Sequence, residues 1–150
     1  MIKHQGGCHC GKVRFTTEYD PLLVYQCNCK RCRRLMSTVN VGTFFGAPEV
    51  EVTGDLKEYV TQGGSGMPFH YYFCPECGTR IYGEAEAIEG VRMIPIGAYD
   101  DPTPFEPKIE VFTELKLNWI RDNGCIQASF EGMALAERIE ALMENLDQRN

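Results

Sequence analysis

The sequence predicts a mainly β protein with a C-terminal helix, a β-rich α+β chain, and three observations carry that prediction. Short segments dense in aromatic and β-branched residues recur as far as residue 96. Glycine- and proline-rich turns separate them. A helical repeat of apolar residues is convincing only from Met133 to Leu146.

The elements follow in order. Lys12-Val13-Arg14-Phe15-Thr16 alternates polar and apolar residues, as a half-buried strand does. Val39 and Val41 alternate ahead of Phe44 and Phe45, and Val50 and Val52 repeat the signal. Glu58-Tyr59-Val60-Thr61 and Phe69-His70-Tyr71-Tyr72-Phe73 are strand-like in composition. Val91 to Ile96 is a further strand, and Pro95, which cannot donate to a ladder, marks an edge or an end. Turns are expected at Gly46-Ala47-Pro48, Thr53-Gly54-Asp55 and Asp100-Asp101-Pro102-Thr103-Pro104. The glycine-rich stretch Gly63-Gly64-Ser65-Gly66 connects two strands, with the border of a pocket as the alternative role. A shorter helix after Cys32 has a weaker signal. In the C-terminal helix, Leu135, Ile139, Leu142 and Leu146 form one apolar stripe, which is expected to pack on the core.

Residues 1–150 are expected to form a single domain, long enough to bury a core without disulfides. Hydrophobic residues make up 43% and charged residues 24%, which excludes a disordered chain. The net charge of -6 argues against nucleic-acid binding and against docking on anionic membranes. Met1 to Gly7 has no apolar core or cleavage signature, so no secretory signal is expected, and no apolar run reaches the ~20 residues a membrane span needs. A cytoplasmic, reducing location is therefore expected, where clustered thiols bind metal more often than they form disulfides.

Seven of the eight cysteines fall into three groups: Cys8-His9-Cys10, Cys27-Asn28-Cys29-Lys30-Arg31-Cys32, and Cys74-Pro75-Glu76-Cys77. Thiolates two or three positions apart converge on one ion through a tight knuckle, and Gly11 and Gly78 follow the first and third groups. The likeness of those two pairs predicts one closed four-thiolate zinc site on Cys8, Cys10, Cys74 and Cys77. Cys27, Cys29 and Cys32 are left as an odd set, the pattern of an open zinc site with a fourth position for water or substrate. The alternative is closure by Cys125, His9 or His70. For the histidines a non-ligand role is favoured, and for the isolated Cys125 a small buried hydrophobe. Lys30, Arg31, Arg33 and Arg34 surround this second group. They either hold the carboxylates of an anionic thiol such as glutathione or simply compensate the thiolate charge.

At these residues the sequence resembles the glutathione-dependent formaldehyde-activating enzymes. The matching stretches are Gly7-Cys8-His9-Cys10-Gly11-Lys12-Val13-Arg14-Phe15, Cys27-Asn28-Cys29-Lys30-Arg31-Cys32-Arg33 and Phe73-Cys74-Pro75-Glu76-Cys77-Gly78-Thr79, with Trp119 later. The resemblance implies a β-tent fold of coiled β-sheets. It also implies a structural zinc on Cys8, Cys10, Cys74 and Cys77, and a second, labile or catalytic zinc on Cys27, Cys29 and Cys32. The activity it implies joins formaldehyde to glutathione as S-hydroxymethylglutathione, formally a carbon–sulfur lyase reaction. The family's middle motif usually reads Cys-His-Cys where this chain has Asn28, and small residues commonly follow it where this chain has Leu35-Met36.

Three functions are consistent with these residues. The first is a zinc-dependent carbon–sulfur lyase or synthase, with Lys30, Arg31 and Arg33 as possible glutathione contacts and a small thiol or carbonyl as partner. His70 and Tyr72 are its candidate bases, by their nearness to Cys74. The second is a non-catalytic interaction module with two zincs, and the third a redox or metal-buffer protein. Cys29-Lys30-Arg31-Cys32 lacks the βαβ context of a thioredoxin-like motif, which disfavours the third. Either a monomer or a homodimer fits the sequence.

Overall fold

The computed structural model describes residues 1–121 and 124–149. Eleven strands and two helices follow one another along the chain among them. They are β1 (His4–Gly7), β2 (Arg14–Thr17), β3 (Leu23–Cys27), α1 (Lys30–Met36), β4 (Asn40–Gly46), β5 (Val50–Thr53), β6 (Lys57–Gln62) and β7 (Pro68–Phe73). There follow β8 (Arg80–Ala85), β9 (Val91–Pro95), β10 (Ile109–Val111), β11 (Ala128–Ser129) and α2 (Leu135–Arg149). The chain is thus mainly β with a C-terminal helix, as expected. No helix among the described residues is long and apolar enough to cross a membrane.

Two sheets are formed. The smaller has the order β1-β2-β5, and the larger β11-β10-β3-β4-β9-β8-β7-β6. Most pairs are antiparallel neighbours, but β10 runs parallel to both β3 and β11. That long return places Val111 beside Cys27. The central strand β4 carries consecutive phenylalanines, and both Phe44 and Phe45 are fully buried. A strand covered on both faces loses the polar–apolar alternation of a half-buried one. Phe45 packs with Val13, Phe15 and Ile94 toward the small sheet. Phe44 packs with Tyr25, Val111 and Leu142 in a second core that also contains Cys27, Cys29 and Cys32.

The sheets meet at Gly6, which bridges to Tyr99. A Cβ there would lie 2.1 Å from the Ala98 carbonyl oxygen, so only glycine lets the two backbones approach this closely. The Arg14–Asp100 ion pair and the Asp100 N–H donating to the Gln5 carbonyl at 3.0 Å tie the same junction.

Both helices depart from the sequence expectation. α1 begins at Lys30 and contains Cys32 rather than following it, because Cys29 caps it: its sulfur accepts from the Cys32 N–H at 3.2 Å. Arg33 and Arg34 lie in the last turn, where positive charge is favourable. α2 starts two residues later than its apolar repeat and runs on to Arg149. Only part of the Leu135–Leu146 stripe packs: Leu142 is 7% exposed, but Ile139 is 37% and Leu146 48% exposed. The helix is turned so that Arg138, Leu142, Asn145 and Arg149 face inward. Arg138 lies 5.4 Å from the Phe44 ring centroid, Asn145 donates to the Leu22 carbonyl, and Arg149 pairs with Glu49 at 3.2 Å.

Candidate metal centres

The knuckles follow directly from local backbone geometry. After β1 the chain turns back, with the Gly11 N–H donating to the Cys8 carbonyl at 3.1 Å and Gly11 at φ +82°. The turn between β7 and β8 repeats this: the Gly78 N–H donates to the Cys74 carbonyl at 2.9 Å, with Gly78 at φ +73°. Glycine occupies this left-handed conformation without the penalty of a Cβ. Each turn presents two sulfurs on one side.

The two turns face each other across the sheets. Cys8 and Cys10 sulfurs are 3.5 Å apart, and Cys10 and Cys74 sulfurs 3.7 Å. All four sulfurs of Cys8, Cys10, Cys74 and Cys77 lie within 4.8 Å of one another. A tetrahedral ion with metal–sulfur bonds of about 2.3 Å requires sulfurs roughly 3.8 Å apart, so the donor set fits such an ion. The Val13 N–H donates to the Cys8 sulfur at 3.2 Å, and the Thr79 hydroxyl lies 3.2 Å from the Cys77 sulfur. That hydroxyl, with backbone N–H groups, draws the Cys77 thiol down to about 5. The Lys12 N–H acts in the same sense on Cys10, but burial and the three neighbouring sulfurs prevail and raise it to about 11. Lys12 and Glu76 pair across the knuckles at 3.1 Å.

Cys27, Cys29 and Cys32 form the second group, all buried and again within 4.8 Å of one another. Cys27 ends β3, Cys29 caps α1, and Cys32 is one turn into it. Hydrogen bonding to Cys27 and Cys32 holds the Cys29 thiol down to about 2. The reverse effect lifts Cys27 to about 11 and, with burial, pushes Cys32 up as well. Sulfurs that compete this strongly for protons form a site in which a cation would replace them.

Asn28 does not reach into this group. Its side chain turns back onto β10, donating to the Val111 carbonyl at 3.1 Å and toward Glu110 at 3.4 Å. Glu110 is buried and also accepts from Gln26 and Ser129 and pairs with Lys116 at 3.0 Å. The strand behind the three sulfurs is thus fixed by a buried polar network.

A cavity of about 60 Å³ adjoins the second group, with Cys27 and Cys32 in its wall. Gly63, Gly64 and Ser65 border it, so the β6–β7 connection is also part of the pocket rim. Arg31 lines it, donating to the Tyr71 hydroxyl at 2.7 Å and lying 5.3 Å from the Phe69 ring centroid. Lys30 is exposed, and neither it nor Arg33 is in the wall. His70 and Tyr72 sit on the other side of β7, facing a shallow groove with Glu84 and Glu86. His70 is held between Glu58 and Glu86, away from the sulfurs. His9 is exposed and Cys125 half-buried, and neither belongs to a sulfur group. Trp119 is 67% exposed.

Sequence reasoning missed Tyr71, Arg80 and Arg138, which all line the cavity. Alternation in β7 could have separated Tyr71 from Tyr72. Arg80 directly follows the third cysteine motif, but nothing local links it, or Arg138, to Cys27, Cys29 and Cys32.

A β-rich chain with one four-sulfur and one three-sulfur group defines a class of cysteine-clustered proteins able to hold metal ions. Residues 3–115 match the family model described as glutathione-dependent formaldehyde-activating enzyme, and the chain belongs to that family. The fold is also similar to the crystal structure of a Rhodobacter sphaeroides protein, with a TM-score of 0.52 and 18% identity. That match covers 84% of this chain and 98% of the other.

Proposed function

We propose that the protein is a zinc-dependent carbon–sulfur lyase or synthase acting on adducts of glutathione, or a similar thiol, with a small carbonyl compound such as formaldehyde. The observation that carries this reading is the contrast between the two sulfur groups. One is a closed set of four, and the other a set of three beside a cavity. In this reading Cys8, Cys10, Cys74 and Cys77 hold a structural zinc, and Cys27, Cys29 and Cys32 hold a second, exchangeable one. When bound, the second ion supplies Lewis acidity beside the cavity and favours the thiolate form of a cosubstrate.

The chain's own residues do the remaining work. Burial keeps the Tyr71 phenol protonated, its pKa pushed up to about 12 even though Arg31 opposes the shift. Arg31 donates to its oxygen, so the Tyr71 O–H is left to donate to the carbonyl oxygen of a substrate. Phe69 and Tyr71 place aromatic rings in the wall beside the sulfurs. The 60 Å³ cavity is too small for a tripeptide, so only the thiol end of glutathione enters and its bulk stays at the Gly63–Ser65 rim. Lys30 and Arg33, on α1 outside the wall, add positive field for its carboxylates. Free thiols on this pattern suit a reducing, cytoplasmic setting.

Metal analysis before and after excess glutathione, with Cys29→Ala alongside, tests the reading. We expect about two zincs per chain, one released by thiol, and a folded variant that lacks only that one. Two zincs unmoved by any thiol would instead favour a non-catalytic interaction module. NMR exchange spectroscopy of thiol–carbonyl adducts tests turnover directly, and absence of protein-dependent exchange with every adduct removes the lyase assignment.

A further inference from the structure

Three arginines converge on the cavity from distant parts of the chain: Arg31 in α1, Arg80 at the start of β8, and Arg138 in α2. No aspartate or glutamate is among its lining residues. Among the described residues, arginine ion pairs are formed by Arg14, Arg92 and Arg149, and not by these three. Arg31 has partners in the Tyr71 hydroxyl and the Gln62 carbonyl. Arg138 donates through Nη1 to the Met133 carbonyl at 3.4 Å, but it and Arg80 each keep an unused donor.

Arg138 is only 9% exposed, and its Nε is buried with no hydrogen-bond partner. Arg80 lies 4.2 Å from the Tyr71 ring centroid, and its Nη1 is likewise buried and unpartnered. Burial works against the Arg80 charge, lowering its pKa. A guanidinium taken out of water with donors unmet is costly, and a bound anion removes that cost. Three thiolates around a dication would offset roughly one of the three arginine charges, so the cavity keeps an excess of positive charge.

The size of the cavity restricts the anion to a few heavy atoms. Formaldehyde has no charge to meet these arginines, and of glutathione only the thiol end enters. Arg138 also lies beyond residue 115, where the family match ends, so this donor comes from a part of the chain outside the shared pattern.

We propose that the cavity binds a small carboxylate, held by Arg80 and Arg138, and that the carbonyl partner of the thiol is a short oxo acid of the size of glyoxylate. The second half rests on the lyase reading of the same site; the first half does not. In the forward direction the thiol sulfur forms a bond to the aldehyde carbon. The carbonyl π pair moves onto oxygen, and that oxygen takes the proton the thiol gives up. The product is a 2-hydroxy acid bearing the thioether at the same carbon, and no oxidant or reductant is needed. The reverse step breaks the carbon–sulfur bond and returns both partners.

Two measurements on the zinc-loaded protein test this. Calorimetric titration uses glycolate, an unreactive carboxylate, and ethylene glycol, its uncharged counterpart. We expect saturable glycolate binding, no ethylene glycol binding, and at least a tenfold loss of glycolate affinity in Arg80→Gln and Arg138→Gln. Arg138→Lys should recover part of it. Should Arg138→Gln lose its far-UV circular dichroism signature, Arg80→Gln alone decides. NMR exchange then compares glutathione–glyoxylate with glutathione–formaldehyde adducts. Exchange of the glyoxylate adduct at least tenfold faster, with the preference erased in Arg80→Gln at unchanged zinc content, supports the oxo-acid partner. Failure of glycolate to bind, or binding unaffected by either folded variant, overturns the carboxylate site. Faster exchange of the formaldehyde adduct overturns the oxo-acid partner. Arginine-dependent glycolate binding with no exchange of either adduct supports the carboxylate site and removes the lyase reading.

Discussion

Cys74 is fully buried at the turn between β7 and β8, and its sulfur sits 3.7 Å from that of Cys10 although 64 residues separate them. An ion shared by these two closes a long loop across the junction of the two sheets. The loop-closure relation for a cross-link of this length gives about 4 kcal/mol of stability, mainly by restricting the unfolded chain. The same relation gives about 2 kcal/mol for the short span between Cys27 and Cys32. Cys74→Ala is therefore expected to lose about 2 kcal/mol more than Cys29→Ala, a large share of the ~5–15 kcal/mol typical of a folded domain. Urea unfolding of wild type and both variants with zinc present, and of wild type with a strong chelator, measures this. The chelated wild type should fall at or below Cys74→Ala. If Cys74→Ala stays within about 1 kcal/mol of wild type, or Cys29→Ala is the weaker protein, the four-sulfur group is not the clamp between the sheets.

What the sequence revealed depended on how local each signal was. Phe69 to Phe73 was legible as a strand because four aromatic residues in five mark it by composition alone, whichever strands it pairs with. β3 gave no such signal, since Leu22 through Tyr25 is buried continuously between two cores. β8 was hidden for a different reason: it contains Gly83, where a Cβ would meet the Phe69 ring at 2.4 Å, and glycine reads as a turn. The seven cysteines were legible because a knuckle is encoded within five or six residues. The arginine wall was not, because Arg80 and Arg138 arrive through sheet order and through the rotation of α2. That rotation itself opposes the hydrophobic repeat: Arg138 stacks on Tyr25 and Phe44 and takes the place that the stripe suggested for Ile139.

Three further outcomes follow from the packing and the charges. Gly6→Ala would set a Cβ against the Ala98 carbonyl oxygen at 2.1 Å, so a loss of about 1–3 kcal/mol or more is expected in urea unfolding. A neutral result would mean that the sheets can part there without cost. His70 is raised by its hydrogen bonds to Glu58 and then Glu86, against a small opposing effect of burial. Its contribution is fully present below the unfolded value near 6.5 and is lost as pH rises through the higher folded value, so His70→Asn should flatten the stability profile across that window; an NMR titration placing the ring at or below about 6.5 would contradict it. Glu110→Gln tests the network behind the three sulfurs. The buried carboxylate accepts from Gln26, Asn28 and Ser129 while paired to the largely buried Lys116. Its neutral isostere keeps the shape but leaves the ammonium without a counter-charge and adds an amide where donors already converge. About 3 kcal/mol should be lost. Because Asn28 sits between Cys27 and Cys29 and leans on the same carboxylate, zinc at the second group should be held more weakly in Glu110→Gln than in wild type while zinc at the first is unchanged, read by competition with a chromogenic chelator. Wild-type affinity at the second group in a destabilised variant would confine Glu110 to a role in folding, with no part in holding the sulfurs in place.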